Sequence, residues 1–448
     1  MLHKGIIVPL LGCDIPTMKI FILPSSVHCL NLGDVAMMEV TCRRFRNFWP
    51  DAQIYVLNDA PELLELYCPK AIPVRPIGQQ AYYTTVAYLS RIGRRFASPA
   101  ISELDYTWRH NWPGLAEKLV TARSGERAGA EVRNFLDLVR SCDLVMASGA
   151  GQITTSFSGA SAPLLGTLEM AQRHGIDTAL MGQGIGPIDE PCFRARAAKV
   201  LPKVDLICVR ETITGPPLLD ALGVSRERVV VTGDDAIETV YENRREALGS
   251  CIGVNLRISW YSDIPGDFVA ALRRPLQEAA TELGAPMVSV PISRHPDEDD
   301  SGICERLFEG YSSVPTPDND LTLVEGMIRE IGRCRVMITT SYHGGVFALA
   351  QGIPVVAWLK SKYFAAKLYG LANQFGVGCE VVTLEEENWE SHLKSAILGA
   401  WKSAEQLRPQ LLEAARSQLS ASKGAYERLR NSFAAESRMQ IRVNLQHR

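Results

Sequence analysis

Short runs of β-branched and other apolar residues recur along the chain, each closed by Gly, Ser or Asp and followed by a segment of helix length. That alternation predicts parallel strands joined by helical crossovers, an α/β fold. The candidate strands are Lys19–Leu23, Ile54–Leu57, Leu144–Ala147, Thr178–Met181, Leu206–Val209, Val229–Thr232, Ile252–Asn255, Met287–Val290, Val336–Thr339 and Val355–Trp358. Ten strands exceed the usual single doubly wound sheet, so two domains are expected. The polar stretch Glu242–Gly249 (ENRREALG) lies between the sixth and seventh candidates and puts the boundary near residue 248.

Asp143–Gly151 and Arg335–Gly345 share an order of strand, small-residue turn and helix start. Two similar Rossmann-like domains facing each other across a cleft would produce this echo, although any two βα units look alike. The organisation expected is an N-terminal extension over 1–18, a first domain over 19–248, a second over 249–385 and a polar helical segment over 386–448. Residues 75–140 have weaker periodicity and scattered charge, as expected of a helical insertion on the first domain. The last segment is expected to pack back across both domains.

Composition narrows the class. The 448 residues are 46% apolar and 22% charged, ordinary for a packed globular protein and against long disorder. Lys plus Arg total 47 against 50 for Asp plus Glu, giving −3, which is too balanced for a nucleic-acid binder. An anionic ligand must therefore be met by local charge. The eleven cysteines are odd in number and lie no closer than five residues apart, against a zinc knuckle, a CxxC pair or a disulfide framework. A reducing cytoplasm and no metal are expected. Leu144–Leu168 and Met337–Leu359 lack formal charge but are too rich in small, turn-forming or polar residues to read as membrane helices, and the N-terminus makes a poor signal peptide.

Several clusters could carry chemistry. Asn31-Leu32-Gly33-Asp34 follows the first strand and precedes a helix, so either its glycine turn holds a ligand against backbone N–H groups or Asp34 caps the helix. Gly149-Ala150-Gly151 and Gly182–Pro187 (GQGIGP), with Gln183 and Gly184, are placed as turns after strands, where an open parallel sheet puts its ligand crevice. Neither matches G-x-G-x-x-G or carries a P-loop lysine, which disfavours nicotinamide cofactors and nucleoside triphosphates. Arg210 and Arg257 end strands and suit a carboxylate or phosphate, with a salt bridge from Arg210 to Glu211 or Asp234 as the plain alternative.

Ser341-Tyr342-His343-Gly344-Gly345 is the sharpest cluster, a histidine beside two glycines just after an apolar strand. Lys360 and Lys362 follow the next strand and either add charge over the crevice or sit in solvent. The run Asp297-Glu298-Asp299-Asp300 beside His295 reads as a solvated, helix-capping loop rather than a metal site, because consecutive side chains diverge. Arg43-Arg44-Phe45-Arg46 and Arg91–Arg95 read as surface charge, compatible with an anionic membrane face.

The ordered set resembles the polysaccharide pyruvyl transferase family: Asn31–Asp34, Gly149–Gly151, Gly182–Pro187, Val209-Arg210-Glu211, Asp234-Asp235-Ala236, Gly253–Arg257 (GVNLR), Ser341–Ala357 (SYHGGVFALAQGIPVVA) and Lys362–Gly376. The resemblance spans about residues 19–385. It implies a glycosyltransferase-B-like pair of Rossmann-like domains and transfer of a pyruvyl group from phosphoenolpyruvate to a sugar, forming a ketal, with no cofactor. On it, His343 transfers a proton or neutralises the phosphate, and Asp34 orients sugar hydroxyls. Asn31, Gly33, Gly149, Gly151, Gln183, Gly184, Arg210, Arg257, Ser341, Tyr342, Gly344 and Lys360 contact substrate.

The implied partners are a small donor and a glycan or lipid-linked sugar, with peripheral contact at the inner membrane face. Many members carry Arg-x-His where this chain has Ser341-Tyr342-His343, and others a Ser-aromatic-His-Gly variant. Asp235 replaces the usual proline, and Ala150 the commoner glycine. The competing expectations are a nucleotide-sugar glycosyltransferase of the same architecture and a noncatalytic sugar- or anion-binding member.

Overall fold

A computed structural model describes residues 17–83, 106–257, 268–295, 300–311, 323–359 and 362–446. The first lobe holds an eight-stranded sheet built from β1 (Lys19–Leu23), β2 (Gln53–Leu57), β3 (Ile72–Val74), β4 (Leu144–Ala147), β5 (Ala150–Ile153), β6 (Asp177–Ile185), β7 (Leu206–Val209) and β8 (Val229–Val231). Its order is β3-β2-β1-β4-β6-β7-β8, with β5 pairing β6 off this path. The second lobe holds β9 (Cys251–Asn255), β10 (Met287–Ser289), β11 (Cys334–Thr339), β12 (Val355–Leu359) and β13 (Cys379–Thr383), ordered β10-β9-β11-β12-β13. Every pairing is parallel. β4, β7, β9 and β12 are buried at every position, as parallel strands covered on both faces must be, and their Val, Ile and Leu content follows.

Six helices bear on the site: α1 (Leu32–Phe48), α2 (Ile237–Glu242), α3 (Asp300–Phe308), α4 (Tyr342–Leu349), α5 (Lys362–Phe375) and α6 (Trp389–Gln446). In α1 the residues Val35, Met38, Cys42 and Phe45 recur at helical spacing and are all buried. One apolar cluster continues from β1 and α1 of the first lobe into α4 of the second and Tyr426 of α6, so both lobes share a core. Strand order reverses between β1 and β4 in one lobe and between β9 and β11 in the other, the switch points beside which open α/β sheets bind ligands.

The lobes touch through backbone. Leu32 N–H donates to Ile292 O (3.1 Å) and Arg294 N–H to Leu30 O (2.8 Å), around a bridge between Asn31 and Ser293. The second-lobe side of this contact is held by Asp300, which is 0% exposed. Its Oδ2 accepts from Asn255 Nδ2, Ile292 N–H and Ser293 N–H, each at 2.9 Å, and the Arg257 guanidinium lies at 3.4 Å. α6 straps the lobes from behind: Arg408 donates to Gln351 O at 2.8 Å and Arg245 O at 2.5 Å, and Ser422 and Tyr426 reach the first lobe.

The structure corrects several expectations. β3, β5 and β13 join the ten expected strands. Gly151 lies in β5 and Gly182–Ile185 within β6, so neither segment is the simple turn expected; Gly182 (φ 56°) marks a register shift in the β6–β7 pairing. After β4 comes another strand rather than a helix, so the echo between halves ends there. Asp300 is a buried anchor rather than a solvated residue, because four donors surround it; Asp297–Asp299 and Arg91–Arg95 lie outside the described residues. Arg44 of the basic cluster is likewise buried, donating to Glu238 at 2.6 Å and to Ser422 at 2.6 Å.

Asp300→Ala leaves three buried N–H donors and the Arg257 charge without their acceptor. It is expected to cost about 3–5 kcal/mol in denaturant unfolding, the scale for breaking a buried pair.

Candidate active site

The strand ends of the two lobes converge on Arg210, Asp234 and His343. Arg210 follows β7, its N–H bonded to Gln183 O (3.0 Å), and its side chain is 2% exposed. The guanidinium carbon lies over the Tyr342 ring, 3.7 Å from its centroid. Two glycines make room for it. A Cβ on Gly184 would stand 2.8 Å from Arg210 Nε, and one on Gly151 would stand 2.6 Å from Arg210 Nη2 and 2.8 Å from Lys367 Nζ of α5. Gly151 and Gly184 thus serve the cations, and two positive groups flank one backbone position.

Asp234 follows β8 and divides its carboxylate. Oδ1 accepts from Ala236 N–H at 2.9 Å, an Asx turn ahead of α2. Oδ2 points into the cleft, 3.5 Å from Arg210 Nη1 and 3.6 Å from His343 Nε2, and all three atoms are buried without a hydrogen-bond partner. Glu211, the other expected partner of Arg210, is occupied: it accepts from Ile213, Thr214 and Gly215 N–H at 2.7–2.8 Å.

His343 stands in the first turn of α4, its imidazole lying on Gly33 in the first turn of α1. Any Cβ at Gly33 would overlap that ring. Two helix N-termini, each carrying the partial positive charge of its dipole, therefore abut between the lobes, the first N–H groups of α1 being taken by Ile292 O and Asn31 Oδ1. Ser341, the N-cap position of α4, donates its N–H to Thr339 Oγ1 (2.9 Å), while its own Oγ is buried and unpartnered. Burial pushes the Tyr342 phenol well above its ordinary range, so it stays neutral beneath Arg210.

Other expected contacts are placed elsewhere. Asn31, not Asp34, caps α1, its Oδ1 accepting from Gly33 N–H (3.1 Å) and Asp34 N–H (3.4 Å); Asp34 is half-buried in the first turn. Gly149 packs on Met37, and Gly344 on Thr339 Oγ1, where a Cβ would lie at 2.5 Å, so helix-on-strand packing takes the space expected for a ligand. Gln183 donates to Ser148 O (2.5 Å), leaving its Oε1 and the Ser148 Oγ buried and unpartnered. Arg257 is matched by Asp300, with its N–H bonded to Thr340 Oγ1 (2.7 Å). Lys360 lies outside the described residues.

Lys367 and Asp234 were not expected among the substrate contacts, although both fall in segments that carry the family resemblance and Asp234 was an expected ion-pair partner of Arg210. The available signals were the place of Asp234 after a strand end and of Lys367 early in the helix after β12.

The family model of polysaccharide pyruvyl transferase matches residues 31–359. No curated protein sequence matches the chain. Among solved structures, the chain is similar to a putative UDP-N-acetylglucosamine 2-epimerase from Listeria monocytogenes, at 10% identity and TM-score 0.53 over 94% of this chain and 97% of that one. It is also similar to UDP-GlcNAc 2-epimerase from Neisseria meningitidis bound to UDP-GlcNAc, at 12% identity and TM-score 0.53 over 92% and 99%. The S. aureus MnaA–UDP structure gives 12% identity and TM-score 0.54 over 93% and 97%. These likenesses show the fold, two Rossmann-like lobes of glycosyltransferase-B type.

Gly33→Ala is expected to cost about 1–3 kcal/mol by overpacking against His343. The Gly33→Ala/His343→Ala double variant should regain most of that loss in a denaturant double-mutant cycle. Additive losses would place the imidazole elsewhere.

Proposed function

Because the chain belongs to the polysaccharide pyruvyl transferase family, we propose that it transfers the carboxyethylidene group of phosphoenolpyruvate to two hydroxyls of a sugar, forming a cyclic ketal. The observation that carries this reading is the cluster of buried, unpartnered polar atoms, Arg210 Nη1, Asp234 Oδ2, His343 Nε2 and Ser341 Oγ, beside two abutting helix N-termini. Unsatisfied buried donors and acceptors are costly, and a ligand that completes them recovers that cost on binding. Arg210 and Lys367 outnumber the single carboxylate of Asp234, so the local charge suits a small anion.

The donor offers a carboxylate and a phosphate. Arg210, Lys367 and the amide groups at the start of α4 hold these anions, with the Ser341 hydroxyl as a further donor. His343 delivers a proton to the methylene carbon while a sugar hydroxyl oxygen bonds to the adjacent carbon; of the two protons the hydroxyls lose in the whole reaction, one returns to the imidazole and the other leaves on the phosphate. The carbon–oxygen bond to phosphate then breaks, the second hydroxyl adds to the same carbon and loses its proton, and inorganic phosphate leaves. Asp234 sits across from the imidazole, its Oδ2 3.6 Å from Nε2. Asp34 orients the sugar hydroxyls from the first turn of α1. The same reading puts the enzyme in the cytoplasm, acting on a glycan or lipid-linked sugar at the inner membrane face; no helix among the described residues is long and apolar enough to cross a membrane.

Incubation with phosphoenolpyruvate and galactose- or mannosamine-type acceptors is expected to release phosphate. Heat protection by UDP-sugars but not phosphoenolpyruvate would instead favour a glycosyltransferase, and binding without turnover a noncatalytic role. His343→Ala is expected to abolish turnover in protein that still folds, with the thermal melt lowered by the loss of a buried ring at the lobe contact. Arg210→Ala should raise the donor KM by about 10- to 100-fold, the loss of a charge-assisted pair.

A further inference from the structure

The cleft-facing carboxylate of Asp234 has a neighbour that faces away from it. Asp235 is 1% exposed and turns into the back of the first lobe, toward α6. Ser422 Oγ donates to Asp235 Oδ1 at 2.5 Å and Tyr426 Oη donates to Oδ2 at 3.0 Å. Gln418, one turn earlier, covers Gly233, whose φ of 77° lets the chain turn ahead of the two aspartates, and a Cβ there would overlap its side chain. Residues 418, 422 and 426 recur every four positions and so form one stripe of α6, laid along the loop 233–235.

This clasp is braced from below. Arg44 of α1 donates to Ser422 Oγ (2.6 Å) and to Glu238 Oε2 (2.6 Å), and stacks 4.4 Å over the Tyr426 ring. Thr41 Oγ1 lies 2.8 Å from Tyr426 Oη. The side chains of Arg44, Ser422, Tyr426 and Asp235 each have partners, the condition under which a buried network fixes a single geometry, while Gln418 Nε2 is buried without one. Asp234 and Asp235 share one peptide bond, so holding one carboxylate sets the direction of the other.

We propose that Ser422 and Tyr426 of the C-terminal helix are positioning residues, which hold Asp235 so that Asp234 Oδ2 is aimed at His343 and Arg210. The proposal deepens the functional reading above and rests on it for its kinetic arm. The helix that straps the two lobes is thereby also part of the frame of the reacting groups, although none of its described side chains enters the cleft cluster.

The test uses full-length Tyr426→Phe, Ser422→Ala and their double variant, with Ser403→Ala as control, a half-buried position of the same helix whose hydroxyl bonds to the helix's own backbone. Carbethoxylation of His343 by diethyl pyrocarbonate, followed by peptide mass spectrometry, reads the imidazole without requiring turnover. The expected result is at least a threefold faster modification in the double variant, as Asp234 no longer stands over Nε2, with the control at the wild-type rate. In the same variants kcat is expected to fall about tenfold with donor KM changed less than threefold, and the pH profile of kcat to shift. An unchanged modification rate and pH profile, with only a lowered thermal melt, would make the clasp purely structural and overturn the proposal. Absence of phosphoenolpyruvate turnover in the wild type would sink the functional reading alone, since the labelling contrast still decides this one.

Discussion

The arrangement turns on one contact that a single methyl group would break: the imidazole of His343 lying on the bare backbone of Gly33. It brings the first turn of α1 against the first turn of α4, so the positive ends of two helix dipoles meet between the lobes. Such an approach is unfavourable unless something negative stands nearby. Asp234 supplies part of that charge from the protein, and a bound anion supplies the rest. Both helices start at the switch points of their sheets, so the topology of two parallel sheets is what delivers the pair.

Two arginines at strand ends illustrate how burial divides similar residues. Arg257 faces Asp300, a carboxylate already committed to three N–H donors, and the pair locks the segment that docks onto Asn31. Arg210 faces Asp234 at a similar 3.5 Å but keeps a guanidinium nitrogen without a hydrogen bond. The first is framework; the second retains capacity for a ligand. The aromatic face of Tyr342 packs against that guanidinium without consuming a donor, which leaves Nη1 available for a planar or tetrahedral anion.

Hydrophobic patterning in the sequence was enough to reveal ten of the thirteen strands in the two sheets, because fully buried parallel strands are short apolar runs with little else to resemble. The three that escaped have physical reasons. β3 (IPV) is an edge strand containing proline, β5 (AGQI) has the small-residue composition of a turn, and β13 mixes Glu380 into a partly exposed edge. Arg210 and His343 were legible because charge at the end of an apolar run stands out. Gly33, Gly151 and Gly184 were noticed as glycines, but what they make room for is set by the other lobe or by a distant strand. Asp300 was hidden in an acidic run, where only the fold distinguishes the buried carboxylate from its neighbours.

The central claim is that the meeting of the two helix starts forms a site for a small anion, lined by Arg210, Ser341 and His343. A crystal structure of the protein soaked with phosphoenolpyruvate tests it most directly. The account predicts ligand density within hydrogen-bond distance of Arg210 Nη1 and His343 Nε2, with its phosphate or carboxylate against the first turn of α4. A ligand bound away from both residues, or an imidazole packed into hydrocarbon with no polar space before it, would contradict the account.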